Sequence, residues 1–389
     1  MKKGISAFVL LLIMTSAYGN EESAVWSRLY KQASSLEQKY VLMQNIVELN
    51  DRDMIPVLYD ALQELNIQRE NITNVTDRQQ QYKLTKLIVE ELGDMKATDA
   101  AEEIFLVMTD VNDNPFLEAS SIRALGDIGA RQYVDQLALM LRNINLDALQ
   151  FTTKQETETV VGALIYALER IKDPKGFSPV FYAATGRYSK KVNERADRAM
   201  KNMVDDPTDL LGEILKSETD FEVKRKVLAV EDASKASPDR KISLIIEALD
   251  QGLMNKAENV RESNSLSQLR IECAVLLKKY GISDLNAVPL LDDMIRGSFS
   301  STETLTAIDT LGSSDSDEAA TVLSQFLDEL NKKRQSGYTF QNESLVRATI
   351  NALGVSGNSI GKPALLEVEF SGWGGDTRRL AKAALEKIK

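Results

Sequence analysis

The segments "SSIRALGDIGARQYVDQL" and "VRATINALGVSGNSIGKPALLEV" share one layout: an apolar run at helical spacing, Ala-Leu-Gly, a short polar turn and a second apolar run. Positions equivalent to Gly126 recur at Asn50, Gly93, Glu169, Lys201, Glu231, Gly281, Gly312 and Gly354, in steps of 30 to 50 residues, which makes nine units. A unit this short cannot bury its apolar face alone and must stack on its neighbours, so the chain reads as an array of repeats.

The punctuation of each unit fits a helical hairpin. Glycine at the aligned position is expected just past the first helix, where a positive φ costs it nothing. Proline opens the second helix at Pro56, Pro179, Pro289 and Pro363, half of the eight in the chain; the first helical turn tolerates it because the missing N–H has no partner there. Asp173-Pro174, Asp206-Pro207 and Ser237-Pro238 are further cap and N1 signals. Aromatics supply only 6% of residues, and Ala, Leu, Ile and Val carry the apolar load, which favours helices over β-sandwiches.

Arg347-Ala348, Ala352-Leu353-Gly354 and Pro363, with Ala124-Leu125-Gly126 and Pro289 as partial echoes, resemble HEAT repeats of the short type also found in phycobilisome lyases. The resemblance runs from about residue 30 to the C-terminus. It is strongest in units three, seven, eight and nine; units five and six lack the glycine. It implies an all-α fold, a right-handed α-solenoid of about nine HEAT-like helical hairpins over residues 46–389. Residues 20–45 then supply a capping helix and the start of the first repeat, with Trp26, Leu29 and Tyr30 in the core.

The stretch "TDVNDNPF" looks at first like the calcium-binding linker of cadherins, but "AAEEIFLVM" before it and "LEASSIRALG" after it have helical spacing. Asn114 is expected to cap a helix with Pro115 at N1 and Glu118 in the first turn. As an EF-hand loop it fails, because Pro115 replaces the required glycine and Ser121 the bidentate glutamate. No metal is expected.

Residues 1–19 have Lys2 and Lys3, an apolar run from Ile5 to Met14 and small residues ending at Gly19, the layout of a Sec-type signal peptide. The run is shorter than the ~20 residues a membrane span needs. Cys273 is the single cysteine and sits in an apolar helical run, so it reads as a buried small hydrophobe. A long exported chain without disulfides fits a bacterial periplasm, and periplasmic or secreted is the expected location.

Histidine is absent, which removes imidazole-activated nucleophiles and His-containing zinc sites. A net charge of −11 with no basic segment argues against nucleic acid and predicts salt-sensitive steering of a basic region of a partner. Asp205-Asp206, Asp292-Asp293 and Asp315 with Asp317 are read as helix caps rather than catalytic dyads.

Four connections between units read as long, at 66–77, 143–156, 251–267 and 331–343, and all must leave the same edge of the array because each joins a second helix to the next first helix. Three carry apolar residues that make candidate partner contacts: Leu146, Leu149 and Phe151; Leu253 and Met254; Tyr338 and Phe340. Trp373 in "SGWGGD" is a further candidate anchor, or else packs inside. The expected function is a non-enzymatic scaffold or adaptor that binds a protein partner of a cell-envelope assembly, with no cofactor. The alternatives are a solenoid that binds a glycan or small ligand, and a lyase-like enzyme implied by the resemblance.

Overall fold

The computed structural model describes residues 24–111, 113–148, 155–186, 188–281, 286–297, 299–340 and 343–388, and every regular element among them is a helix. Two compact units divide the chain. In the first, ending at Val204, α1 (24–32) precedes the hairpins α2 (Leu36–Glu48) with α3 (Ile55–Gln68), α4 (Val75–Asp94) with α5 (Ala101–Asp110), α6 (Pro115–Ile128) with α7 (Val134–Ala148) and α8 (Gln155–Ile171) with α9 (Phe177–Thr185), and α10 (Lys190–Met203) closes it. The second, from Asp205, opens on α11 (Thr208–Ser217) and continues with α12 (Phe221–Asp232) and α13 (Pro238–Met254), then α14 (Val260–Tyr280) and α15 (Ala287–Arg296). It ends with α16 (Ser301–Gly312) and α17 (Asp317–Gln335), α18 (Ser344–Ser356) and α19 (Lys362–Glu367), and α20 (Gly375–Lys387). Each unit is an all-α solenoid of HEAT-like hairpins. The fifth expected pair, α10 and α11, falls across the boundary between the units.

The helix starts follow the sequence signals. Asn114 accepts from the Leu117 N–H at 3.1 Å with Pro115 at N1, and Ser237 caps α13 ahead of Pro238. Four of the five repeat glycines have a different role from the one expected, whereas Gly281 follows α14 with φ 86°, as expected. Gly93, Gly126, Gly312 and Gly354 lie inside helices, and a Cβ built on them would sit 2.8, 2.6, 2.6 and 2.9 Å from atoms of Ala124, Ala167, Ala352 and Ala384 respectively. The Ala-Leu-Gly motif is therefore a contact ladder: the glycine of one first helix receives the alanine of the next, and no larger residue fits.

The left-handed turn residue comes three positions later. Lys96, Gly129, Lys172 and Gly357 have φ of 54°, 75°, 56° and 64°, each three residues after Gly93, Gly126, Glu169 and Gly354. Asn50, with φ 48°, is such a turn residue itself, so Val47 is the counterpart of the glycine in the first unit. In these hairpins a short 3-10 turn then leads into the second helix, as at Arg131–Tyr133 and Ser359–Gly361.

The N-terminal segment precedes and opens the first hairpin. It is two helices, α1 and α2, with Ser35 capping the second by accepting from Gln38 N–H. Tyr30 is buried as expected, Trp26 is half-buried, and Leu29 is exposed. Cys273 is fully buried, and burial pushes its thiol well above the ordinary range, so it is packed and unreactive.

Candidate interaction surface

Second helices run on into the connections that looked long. Residues 251–267 contain a five-residue gap between α13 and α14, and 331–343 shrinks to the eight residues 336–343 between α17 and α18. The polar helical turns there follow no apolar stripe, which is why they read as loop. The connecting edge of each unit is thus made largely of projecting helix ends, and the side chains on it are held by regular backbone.

In the first unit, Leu146 near the end of α7 is 58% exposed. Leu149 and Phe151 lie outside the described residues. Ile67, Val75 and Phe116 stand exposed on the same edge and were missed. Ile67 and Val75 fall inside the marked 66–77 connection, so the signal was present there. In the second unit, Leu253 is half-buried, whereas Met254 and Val260 are exposed across the gap that separates α13 from α14. By contrast, large exposed apolar residues at the within-hairpin turns are Leu49 and Val355 among the described residues.

The α17 end is the most developed part of this edge. Gly337, at φ 88°, closes the helix: its N–H donates to Arg334 O and the Tyr338 N–H donates to Lys333 O, both at 3.1 Å. This two-bond ending satisfies orphan carbonyls and throws Tyr338 outward, 59% exposed. Tyr338 packs edge-on to half-buried Phe340 with ring centroids 4.8 Å apart, and Phe340 lies against Trp373 at 5.1 Å.

Trp373 is not an exposed anchor. It is 3% exposed, and its indole N–H donates to Asn331 Oδ1 at 2.7 Å. Asn331, itself buried in α17, donates in turn to Ala364 O at 3.1 Å in α19. The indole packs under Phe340 and against α17, held down by a hydrogen bond that an exposed ring would not need. Asn145 in α7 has the same role: it donates to Pro179 O at 2.8 Å and accepts from Tyr188 OH at 2.9 Å. An asparagine latch thus joins adjacent second helices to a ring from the connecting edge in both units.

The first-helix face of the second unit carries two grooves. One, of about 430 Å³ between α12 and α14, has Arg225 clamped by Glu222 and Glu272 over Leu228, Val275 and Leu276. The other, of about 290 Å³, runs over α14, α16 and α18, where Lys278 pairs with Asp309 at 2.6 Å beside Asn351 and Val355. No aromatic ring is among the described lining residues, so the row of rings that a glycan reading requires is not on these walls.

Four of the six acids in these pairs have structural partners. Asp205 pairs with Lys235 at 2.8 Å, and Asp206 bonds Thr208 and Arg240. Asp292 pairs with Arg296 at 2.6 Å, and Asp317 accepts from Asn358. Glu118, in the first turn of α6, is half-buried, and desolvation pushes its carboxyl up to about 7.

No family model matches the chain, and no curated protein matches it. Among solved structures, it is similar to the complex of CpcE and CpcF of phycocyanin lyase from Nostoc sp. at 16% identity, covering 70% of this chain and 93% of that one, TM-score 0.39. It is also similar to human deoxyhypusine hydroxylase at 13% identity, covering 88% and 98%, TM-score 0.29. Importin beta aligns at 10% identity over 95% of this chain and 52% of that one, TM-score 0.36. These likenesses carry no functional argument.

Proposed function

We propose that this protein is an exported, non-enzymatic scaffold or adaptor that docks a protein partner of a cell-envelope assembly along the connecting edge of its hairpins. The observation that supports this most is the uneven distribution of exposed apolar side chains between the two edges of the hairpins. Ile67, Phe116 and Leu146 in the first unit, and Met254, Val260, Tyr338 and Phe370 in the second, lie on the connecting edge. Solvent-facing groups of this size on rigid helix ends and capped turns favour a protein partner, because burial of each would contribute about 1.5–3 kcal/mol. Export rests on the layout of residues 1–19, and the expected mature N-terminus near Asn20 is read directly by intact mass.

The test is a crosslinking pull-down from intact envelopes that compares the wild type with combined Met254→Ser, Tyr338→Ser and Phe370→Ser, circular dichroism confirming that both are folded. Loss of a specific protein in the variant supports the reading. An unchanged set of partners, or recovery of glycan alone, overturns it.

A further inference from the structure

The α17 end has a charge opposite in sign to that of the chain as a whole. The net charge is −11, yet Lys332, Lys333 and Arg334 fill the last turn of α17 beside the rings. Arg334 is committed: it donates to Gly372 O at 3.1 Å and lies 5.5 Å from the Trp373 ring centroid. Lys332 and Lys333 are exposed and close no ion pair with a described carboxylate.

Asp328, one turn back on α17, interacts electrostatically with Lys332, and the other neighbouring acids are engaged elsewhere. Glu367 accepts from Gln335, Glu369 pairs with Arg378 and Lys382, and Glu343 pairs with Arg347. The negative end of the helix dipole favours basic residues at this position, but that leaves the adjoining exposed rings unexplained.

Those rings are held in place. Gln335 Nε2 donates to Ser371 Oγ at 3.1 Å, and with the Arg334 bond to Gly372 this pins the turn that carries Phe370 against the end of α17. Phe370 is 78% exposed there, and Tyr338 projects from the capped turn beside Lys333.

Resting on the docking reading above, we propose that Tyr338, Phe340 and Phe370, with Lys332 and Lys333, seat an acidic peptide segment of the partner that carries an aromatic or large apolar side chain. The apolar side chain covers the open faces of Tyr338 and Phe370, and flanking carboxylates meet the two lysines. The local charge selects an acidic segment at this point of the edge, where net charge alone had suggested a basic one.

The test is fluorescence anisotropy on the full mature chain with three labelled peptides: a run of Asp and Glu around one Trp, the same run with Ser for Trp, and a Lys/Arg run around Trp. The acidic Trp peptide is expected to bind at least about tenfold more tightly than either control, and to weaken severalfold between about 0.05 M and about 0.3 M salt. Lys332→Glu with Lys333→Glu should abolish the preference for the acidic peptide. Tyr338→Ser with Phe370→Ser should weaken the acidic Trp peptide towards its Ser control.

Equal or tighter binding of the basic peptide, or indifference to the lysine changes, overturns the inference. If no peptide binds while the serine variants still lose the partner in envelopes, the acidic seat is refuted and the docking edge stands. If the partner is retained as well, both fall.

Discussion

Gly126→Ala and Gly162→Ala are the same substitution in neighbouring first helices, and the contact ladder predicts opposite signs for them. In an open helix interior, replacing glycine by alanine stabilises by about 0.5–1 kcal/mol. Gly162 meets that condition, since nothing lies within 4 Å of an added Cβ. At Gly126 the new methyl would lie 2.6 Å from Ala167 Cα and 3.0 Å from its Cβ, against an ordinary contact of 3.4–4 Å. The obstacle is backbone, so α6 and α8 must separate by roughly 1 Å along their contact, which places the cost in the range of about 1–3 kcal/mol for overpacking. After the propensity gain, Gly126→Ala is expected to destabilise by about 1–2 kcal/mol, and adding Ala167→Gly should restore little of it, because the 2.6 Å approach to the Cα of residue 167 remains. Hydrogen exchange read on peptides from α6 and α8 is the suitable assay, because a stack of repeats opens locally. Stabilisation by both glycine changes would refute the ladder, and full recovery in the double variant would refute the backbone obstacle.

Glu118 supplies a pH test. Its carboxyl is raised from 4.5 to about 7 by burial, so the folded state favours the protonated form; this stability is fully present below 4.5 and is lost as pH rises through 7. The full shift would be worth about 3 kcal/mol, which solvent access to a half-buried group cuts to about 1 kcal/mol. Glu118→Gln should therefore raise the melting temperature at pH 8 and leave it unchanged at pH 4; an equal gain at both would discount burial as the cause. Asn331→Leu leaves the Trp373 N–H without its acceptor and should cost about 2 kcal/mol, with a red shift of Trp373 emission measured in a Trp26→Phe background. Lys172→Gly, at an exposed left-handed position, should stabilise by about 0.5–1 kcal/mol in urea denaturation, and a loss of stability would contradict the strain assigned to that turn.

Architecture was legible because the repeat is written in residue types whose backbone limits are strict. Pro115 and Pro238 begin helices, Asn114 and Ser237 cap them, and the recurrent glycine marks each strong unit. The function of that motif was not legible: a glycine inside a helix and one just past its end look alike until the next helix is seen to lie so close that a Cβ on Gly126 would sit 2.6 Å from Ala167 Cα. The three-residue offset to Gly129 and Lys172 shows where the register slipped. On the edge, Met254 and Tyr338 were found because they interrupt polar stretches. Trp373 and Phe370 were harder, because in the non-helical turn after α19 no periodicity says which ring faces inward. Asn331 decides it by bonding the indole, which leaves Phe370 outside.

Site-specific photocrosslinking in intact cells tests the central claim most directly, with a benzophenone amino acid placed in turn at Leu146, Met254, Tyr338 and Phe370, and at Leu49 and Val355 on the turn edge. Docking along the connecting edge predicts a discrete protein adduct from connecting-edge positions and none from the turn edge. Adducts confined to Leu49 and Val355, or none from any position, would contradict it.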